Sequence, residues 1–231
     1  MPVRRRMLAA TILLAVATAA RADDIVTMPT ANQLKAGEVD VAAYYIDLRL
    51  PSGAPQFVHY QTLYVGLTDR FEIDIHRTDV NRDKKSVVLV GSAKLLSETP
   101  TRPDLVIGVR NFTATRTTLN PSVRDKSDDP SAFLSAAKTF FADPEKPGPP
   151  LMRLHLSLGT EDWTLLGESR HGGVFGGVQA LIKPWLGAVV QHDGTDLITA
   201  ITLMPPRTGL TFKGGTFGDH YWAGVAFRKH L

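Results

Sequence analysis

The stretch from Gly66 to Val80, GLTDRFEIDIHRTDV, decides the class of fold. Apolar and ionic side chains alternate through its middle, in the order Phe71, Glu72, Ile73, Asp74, Ile75 and His76. Successive side chains of an extended strand point to opposite faces, so this segment has one apolar face and one ionic face. The pattern predicts a β-strand, but alternation alone leaves open which face is the inner one.

Similar short runs recur along the chain, separated by turn residues such as Asp193-Gly194 and Pro205-Pro206. Many short strands with almost no amphipathic helix predict an antiparallel all-β protein, either a sandwich or a barrel. We predict strands near Glu38–Leu48, Phe57–Leu67, Arg70–Arg77, Ser86–Leu96, Asp104–Ala114, Met152–Gly159, Gly173–Ile182, Leu186–His192, Leu197–Met204, Leu210–Phe217 and Tyr221–Leu231.

One further segment, SAFLSAAKTFF from Ser131 to Phe141, fits two structures. Its apolar residues have helical spacing, and Asp129-Pro130 is a plausible helix entry. The same residues also fit a strand with Phe133, Ala137 and Phe141 on one face. Local pattern favours the helix slightly, whereas a strand here makes the total twelve.

The first residues have the organisation of an export signal. Arg4, Arg5 and Arg6 precede an apolar run from Leu8 to Ala20, and Ala20-Arg21-Ala22 is a small-x-small cleavage site. This run is shorter than the roughly 20 residues that a membrane-spanning helix needs. We predict a signal peptide at residues 1–22, a periplasmic N-terminal segment at 23–36 and a β-barrel at 37–231.

Composition removes several classes of function. Loss of the leader takes away four of the 26 basic residues and none of the 23 acidic ones, which leaves 22 against 23 and a net charge of −1. The basic character therefore belongs to the leader and gives no support to nucleic-acid binding. The chain has no cysteine, which excludes disulfides, thiolate metal sites and a thiol nucleophile.

Several features favour a transmembrane barrel, which turns its apolar face to lipid, over a soluble barrel, which buries that face. Runs of about 8–11 residues suit a tilted strand that crosses a bilayer. Long and short connections alternate over much of the chain, as in outer-membrane barrels. Trp185, Tyr221 and Trp222 lie at strand ends, where interfacial aromatic residues belong. A final strand from Tyr221 can pair with the first strand and remove the sheet edge.

Four motifs resemble the YjbH-like family of bacterial outer-membrane proteins, which is named for exopolysaccharide-associated members. They are Pro29-Thr30-Ala31 followed by Lys35-Ala36-Gly37-Glu38, then Gly66-Leu67-Thr68-Asp69-Arg70-Phe71-Glu72-Ile73, Gln191-His192-Asp193-Gly194, and Pro205-Pro206 with Gly209-Leu210. The resemblance implies an outer-membrane barrel in the cell envelope of a Gram-negative bacterium. It implies a role in secretion or assembly of surface polysaccharide, with polysaccharide or envelope assembly proteins as partners, and it supplies no catalytic residues.

The motifs tested for chemistry favour a non-enzymatic protein with no cofactor and no metal. His155 and Ser157 resemble part of the dyad of outer-membrane phospholipase A, but the neighbouring leucines would face lipid and turn both residues into the lumen. GESRHG, residues 167–172, lacks the spacing of a nucleophile elbow and is predicted to be an external loop.

The sequence therefore predicts an up-and-down outer-membrane barrel of about twelve strands with a narrow polar lumen, in contact with outer-membrane lipid. Its function would be non-enzymatic and porin-like, either in exopolysaccharide secretion or assembly or as a narrow pore. The alternative is a soluble periplasmic sandwich or lipocalin-like carrier of a small ligand. The candidate lumen residues, expected to cross-link the barrel interior, are Glu72, Asp74, His76, Arg153, His155 and Lys213.

Overall fold

The computed structural model describes residues 29–49, 55–81, 84–114, 129–140, 152–165 and 168–231. The described residues form a closed antiparallel barrel in which each strand pairs with its neighbours in sequence and the first pairs with the last. The strands are β1 (Glu38–Arg49), β2 (Pro55–Gly66), β3 (Phe71–Val80), β4 (Lys84–Leu96), β5 (Asp104–Arg110), β6 (Ser131–Phe140), β7 (Met152–Leu165), β8 (Glu168–Lys183), β9 (Leu186–His192), β10 (Leu197–Leu203), β11 (Leu210–Phe217) and β12 (His220–His230). The predicted up-and-down barrel of about twelve strands is confirmed.

The barrel closes between β1 and β12, and a charge pair marks the closing seam. Asp40 and Arg228 are directly opposite each other in the register of these two strands. The Nε atom of Arg228 lies 3.0 Å from Oδ2 of Asp40, whose side chain is almost fully buried. Closure leaves no strand edge unpaired, as predicted for a chain whose last strand pairs with its first.

The ambiguous segment from Ser131 is a strand, so the local preference for a helix is wrong. β6 pairs with both β5 and β7 along most of its length. Its side chains alternate between buried Phe133, Ser135 and Ala137 and exposed Ala132 and Leu134. Pairing on both edges therefore overrides the helical spacing of its apolar residues. No helix among the described residues is long and apolar enough to span a membrane.

The predicted long connection between the seventh and eighth strands is wrong. The sequence predicts a connection at residues 160–172, but β7 continues to Leu165 and β8 begins at Glu168. A register shift between Thr160 and Trp163 lets the two strands pair past this point. The predicted external loop GESRHG is accordingly wrong for residues 168–172, which belong to β8, and its first residue lies outside the described residues.

The outer wall of the barrel is apolar on every side. Alternate positions of each strand point outward, and large hydrophobic side chains at these positions are exposed. One example from each strand in order is Val41, Phe57, Ile73, Val87, Ile107, Leu134, Leu156, Val174, Val190, Ile201, Phe212 and Val225. In β3 the exposed Phe71, Ile73 and Ile75 alternate with the buried Glu72, Asp74 and His76. The apolar face of the opening stretch is therefore the outer one.

The interior has two chemically different halves. We call the end where β1 begins and β12 ends the terminal end, and the other the opposite end. An apolar core fills the opposite half, and it consists of Ala42, Tyr44, Ile46, Val58, Tyr60, Val80, Phe175, Val189, Ile198, Ala200, Phe217, Trp222 and Ala226. Buried charged and amide side chains line the terminal half, and they also occur in the opposite half, where Arg110, Arg170, Gln191 and Asp193 are buried. The predicted polar lumen is therefore present, but it shares the interior with an apolar core that the sequence did not predict.

Two inward glycines make room for aromatic rings of the core. A Cβ atom at Gly224 would lie 2.1 Å from Cδ1 of Tyr44, and one at Gly108 would lie 2.2 Å from Cζ of Phe133. Each glycine directly opposes its aromatic partner on the neighbouring strand. The rings therefore lie flat over the glycines and occupy the space of the missing side chains.

Candidate functional site: the polar half of the lumen

The chain immediately before β1 runs inside the barrel rather than away from it. We call residues 29–36 the lumen segment. The backbone N–H of Leu34 donates to Oε2 of Glu72 at 2.7 Å, and the side-chain amide of Gln33 donates to Oγ of Ser92 at 2.7 Å. Leu34 is buried at this point. The described part of the predicted periplasmic segment 23–36 thus packs against the inner faces of β3 and β4.

The beginning of the lumen segment reaches the middle of the barrel. The carbonyl oxygen of Pro29 accepts from Oγ of Ser135 and from Oγ of Ser157, each at 3.3 Å. Ala31 is fully buried in a small apolar cluster that includes Val106 and Phe133. The lumen segment therefore lies along the β3–β7 side of the lumen and fills that side.

Arg153 organises the charges of the terminal half. Its Nη1 atom lies 2.7 Å from Oε2 of Glu98, and its Nη2 atom lies 2.6 Å from Oδ2 of Asp104. Its Nε–H donates to Oδ1 of Asn32 at 2.8 Å, which ties the lumen segment to β7. Lys138 adds a second cation 3.1 Å from Oε1 of Glu98. One guanidinium thus connects a turn, two strands and the lumen segment.

Glu98 lies in the connection between β4 and β5, and its surroundings favour the ionised form. Burial alone would raise its pKa. Donation from the backbone N–H and hydroxyl of Thr139, and from Lys138 and Arg153, outweighs burial and holds the pKa of Glu98 below its ordinary value. Both carboxylate oxygens are engaged by these donors. Glu98 is therefore a structural anion that fixes this turn over the end of the lumen.

His76 lies at the centre of a second cluster, on the inner face of β3. Its Nδ1 atom is 2.6 Å from the hydroxyl of Tyr60 and 3.0 Å from Nη1 of Arg110. A guanidinium can only donate, so Nδ1 of His76 is an acceptor in this arrangement. The ring of Tyr64 packs edge-on against the imidazole. The cluster cross-links β2, β3 and β5 through the lumen.

The structure places all six candidate lumen residues on the inner faces of their strands. Glu72, Asp74, His76, His155 and Lys213 are buried, and Arg153 is nearly so. They do not form one site. Arg153 belongs to the network at the terminal end, Glu72 holds the lumen segment, and Nζ of Lys213 lies 5.9 Å from the ring centre of Tyr44.

His155 and Ser157 show no sign of a catalytic pair. Ser157 donates to Oγ of Ser135 at 2.8 Å and faces the carbonyl of Pro29. Neither ring nitrogen of His155 has a hydrogen-bond partner among the described residues. Both side chains are buried on the inner face of β7.

The most deeply buried ion pair among the described residues was missed by the sequence interpretation. Arg170, at the start of β8, is fully buried and lies 2.7 Å from Oδ2 of Asp193 and 2.7 Å from Oδ2 of Asp196. The guanidinium carbon sits 4.7 Å from the ring centre of Phe217. This cluster closes the opposite end of the lumen above the apolar core. The signal was present in GESRHG, but its glycines and charges also fit a loop.

Trp222 corrects the prediction of three interfacial aromatic residues. Trp185 and Tyr221 are exposed on the outer wall, whereas Trp222 is buried inside. Its indole N–H donates to the carbonyl oxygens of Thr199 and Thr216 at 3.2 and 3.1 Å. Because Tyr221 and Trp222 are adjacent in a strand, only one of them can face outward.

A cavity of about 500 Å³ remains at the terminal end, between the lumen segment and the β8–β10 wall. Charged and amide side chains line one side of it, and Leu181, Gly187 and Met204 line the other. The apolar core lies deeper in the barrel and separates this cavity from the opposite end. No three metal-ligating side chains come together in the part of the chain that the structure describes.

Comparisons with known proteins add a distant likeness in fold. No family model and no curated protein matches the sequence. An outer membrane channel from Pseudomonas putida F1 is 13% identical, with a TM-score of 0.44 over 90% of this chain and 98% of that one. The N-terminal β-barrel domain of Pseudomonas aeruginosa OprF is 10% identical, with a TM-score of 0.27 over 85% of this chain and all of that domain. At these values the likeness assigns no function.

Proposed function

We propose that this protein is an outer-membrane β-barrel of a Gram-negative cell envelope. The single observation that carries the proposal is the exposed apolar outer wall, to which all twelve strands contribute. Monomeric soluble proteins rarely expose contiguous apolar patches larger than a few hundred Å². A wall that is apolar all round, over an interior with buried charges, is the arrangement of a transmembrane barrel.

Exposed aromatic residues near both ends of the strands support the same proposal. Tyr45, Phe57 and Tyr221 lie towards the opposite end, and the rings of Tyr45 and Phe57 are 5.7 Å apart. Phe140 and Trp185 lie at the terminal end. Two aromatic girdles that flank an apolar band are typical of outer-membrane barrels, in which the rings sit at the level of the lipid head groups.

The interior supports a barrel that does not conduct solutes steadily. The apolar core, the buried Arg170–Asp193 pair and the lumen segment occupy successive levels of the lumen. Barrels of this size can be filled by their own side chains. We therefore propose a closed envelope protein with a recess at its terminal end. The narrow-pore alternative would require displacement of both the segment and the core.

Cell fractionation tests the membrane location. The protein is expected to stay with the outer membrane after a carbonate wash and to migrate differently on a gel before and after boiling. A soluble periplasmic carrier, which is the alternative, would wash off and show no such shift. The inner apolar core is the observation that favours this alternative, because lipocalin-like barrels are apolar inside.

Planar-bilayer recording tests the closed lumen. The purified mature chain should give no large, steady current at moderate voltage, while a general porin reconstituted in the same lipid serves as the positive control. Steady currents would contradict the filled lumen but not the membrane location.

A link to exopolysaccharide rests on motif resemblance alone, and a deletion strain with unchanged surface polysaccharide would remove it.

A further inference from the structure

We propose that the cavity at the terminal end binds a small organic anion whose apolar body lies against the β8–β10 wall. Its anionic group would lie beside the ammonium groups of Lys94 and Lys35. The cavity volume of about 500 Å³ is within the range of small-molecule sites. The site is a property of the barrel interior and does not depend on what surrounds the outer wall.

The carboxylates around the cavity are already occupied by donors. Oε1 and Oε2 of Glu98 accept from Thr139, Lys138 and Arg153. Oδ1 of Asp104 accepts from the backbone N–H of Glu98, and its Oδ2 accepts from Arg153. Each oxygen of Glu98 and Asp104 therefore already accepts a hydrogen bond, and Asp69, the third carboxylate of the lining, is exposed and accepts from the backbone N–H of Ala36. The lysine ammonium groups are thus the lining charges with the fewest hydrogen bonds.

The ammonium groups of Lys94 and Lys35 have N–H donors available to a ligand. Nζ of Lys94 lies 3.7 Å from Oδ1 of Asp104, beyond hydrogen-bond distance, and makes no hydrogen bond within the described residues. The Lys94 side chain is 15% exposed. With no acceptor within hydrogen-bond distance, the three N–H donors of this ammonium group can be satisfied by a ligand or water in the cavity that Lys94 lines. The side chain of Lys35, which is exposed at the rim, also makes no hydrogen bond or ion pair within the described residues. A carboxylate or phosphate would supply acceptors to both.

The β8–β10 wall determines the chemistry of the part of the ligand that carries no charge. Leu181 and Met204 present apolar side chains, and Gly187 leaves the space between them open. Leu34 of the lumen segment adds an apolar surface on the near side. Within the described part of the chain no aromatic ring lines this cavity, so these residues offer no stacking surface for a sugar or a base. A short aliphatic chain attached to the anionic group matches this combination.

Calorimetric titration of the refolded mature chain tests the site, with hexanoate as the probe and 1-hexanol and hexylamine as matched neutral and cationic probes. Hexanoate should bind, and the other two should bind at least about tenfold more weakly, because hexanol brings no negative charge to the lysines and hexylamine brings a like charge. Equal binding of hexylamine and hexanoate, or no binding of hexanoate, would overturn the proposal.

Variants separate the site from partition into the detergent or lipid. Lys94→Gln should weaken hexanoate binding at least about tenfold, and Lys94→Arg should retain most of it. Lys229→Gln, which removes an outward-facing exposed lysine, is the matched control and should bind as the wild type does. Heat-modifiable migration shows that each variant folds. If Lys94→Gln does not fold, Lys35→Gln at the exposed rim provides the same test with a smaller expected loss. Unchanged binding by the folded lysine variants would also overturn the proposal.

Discussion

Two arginine–aspartate pairs in this barrel have nearly the same geometry but different burial. Arg170 and Asp193 lie 2.7 Å apart with both side chains fully buried. Arg77 and Asp79 lie 2.8 Å apart, with 45% of the arginine side chain exposed. Removal of one partner from a buried pair leaves an uncompensated charge, whereas an exposed pair contributes little. The contribution of each arginine to the free energy of unfolding should therefore depend on its burial.

We predict that Arg170→Met lowers the free energy of unfolding by about 3–5 kcal/mol. Arg77→Met, the matched exposed control, should change it by less than about 1 kcal/mol. Denaturant unfolding of the barrel in detergent micelles measures both. A further Asp193→Asn substitution in the Arg170→Met background should recover part of the loss. Equal effects of the two arginine substitutions would show that Arg170 does not depend on its buried partners.

The inward glycines give a second prediction for single residues. Gly224→Ala should destabilise the barrel by about 1–3 kcal/mol, because a Cβ atom there meets the ring of Tyr44. Gly214→Ala is the control, since a Cβ atom there would lie 3.6 Å from the carbonyl oxygen of Trp222, an ordinary van der Waals distance. Thermal melts followed by gel mobility would measure both. A Gly224→Ala variant as stable as Gly214→Ala would mean that the ring of Tyr44 moves away without cost.

Glu98 makes stability depend on pH in a defined direction. Its folded pKa lies below its ordinary value of 4.5, so ionisation of Glu98 stabilises the folded state above that value. This contribution is lost as the pH falls through the folded pKa. We predict that the stability difference between wild type and Glu98→Gln is largest near neutral pH and shrinks in acid. Unfolding at a series of pH values would show it, and a difference that grows in acid would contradict the assignment.

Among the elements of the fold, the lumen segment allows the sharpest prediction. Deletion of residues 29–34 removes the hydrogen bonds to Ser92, Glu72 and Arg153, so the barrel should become less stable and its cavity larger. The apolar core and the Arg170 cluster still close the opposite half. Planar-bilayer recordings of the deletion variant should therefore show no large, steady current. Steady conductance after the deletion would show that the segment alone blocks the lumen.

Several elements could be predicted from the sequence because their signal is local. Alternation along β3 fixes both the strand and its two faces, and β9 and β11 were predicted with the observed bounds. The candidate lumen residues in β3 and β7 follow from the same alternation. The choice between helix and strand for β6 could not be made locally, since pairing with β5 and β7 decides it.

The structural features that the sequence did not predict depend on contacts between residues far apart in the chain. Asn32 and Arg153 are 121 positions apart, and nothing local shows that the lumen segment turns inward. Arg170 is in a stretch with loop-like composition, and its partners lie in the turn after β9. The apolar inner core was missed because alternation assigns one apolar face to a strand. In β1 both faces are apolar in part, with Tyr45 outside and Tyr44 and Ile46 inside.

On the scale of the whole molecule, apolar surface occurs twice, as an inner core in one half and as a complete outer wall. The inner core alone would suit a soluble barrel, but it leaves the exposed wall without an explanation. A surrounding membrane buries the wall and leaves the inner charges with the partners that they have in the structure. The proposed membrane location therefore depends on whether lipid or water contacts the outer face of the strands.

Spin labels at single introduced cysteines test this contact directly, because the chain has no cysteine of its own. Ile73, Leu156 and Ile201 are exposed outward positions on three separate strands, and Arg102 in the β4–β5 connection is an aqueous control. In reconstituted membranes, labels at the three outward positions should be relaxed strongly by oxygen and weakly by a water-soluble nickel complex, with the reverse at Arg102. Strong relaxation by the nickel complex at all three outward positions would contradict the account.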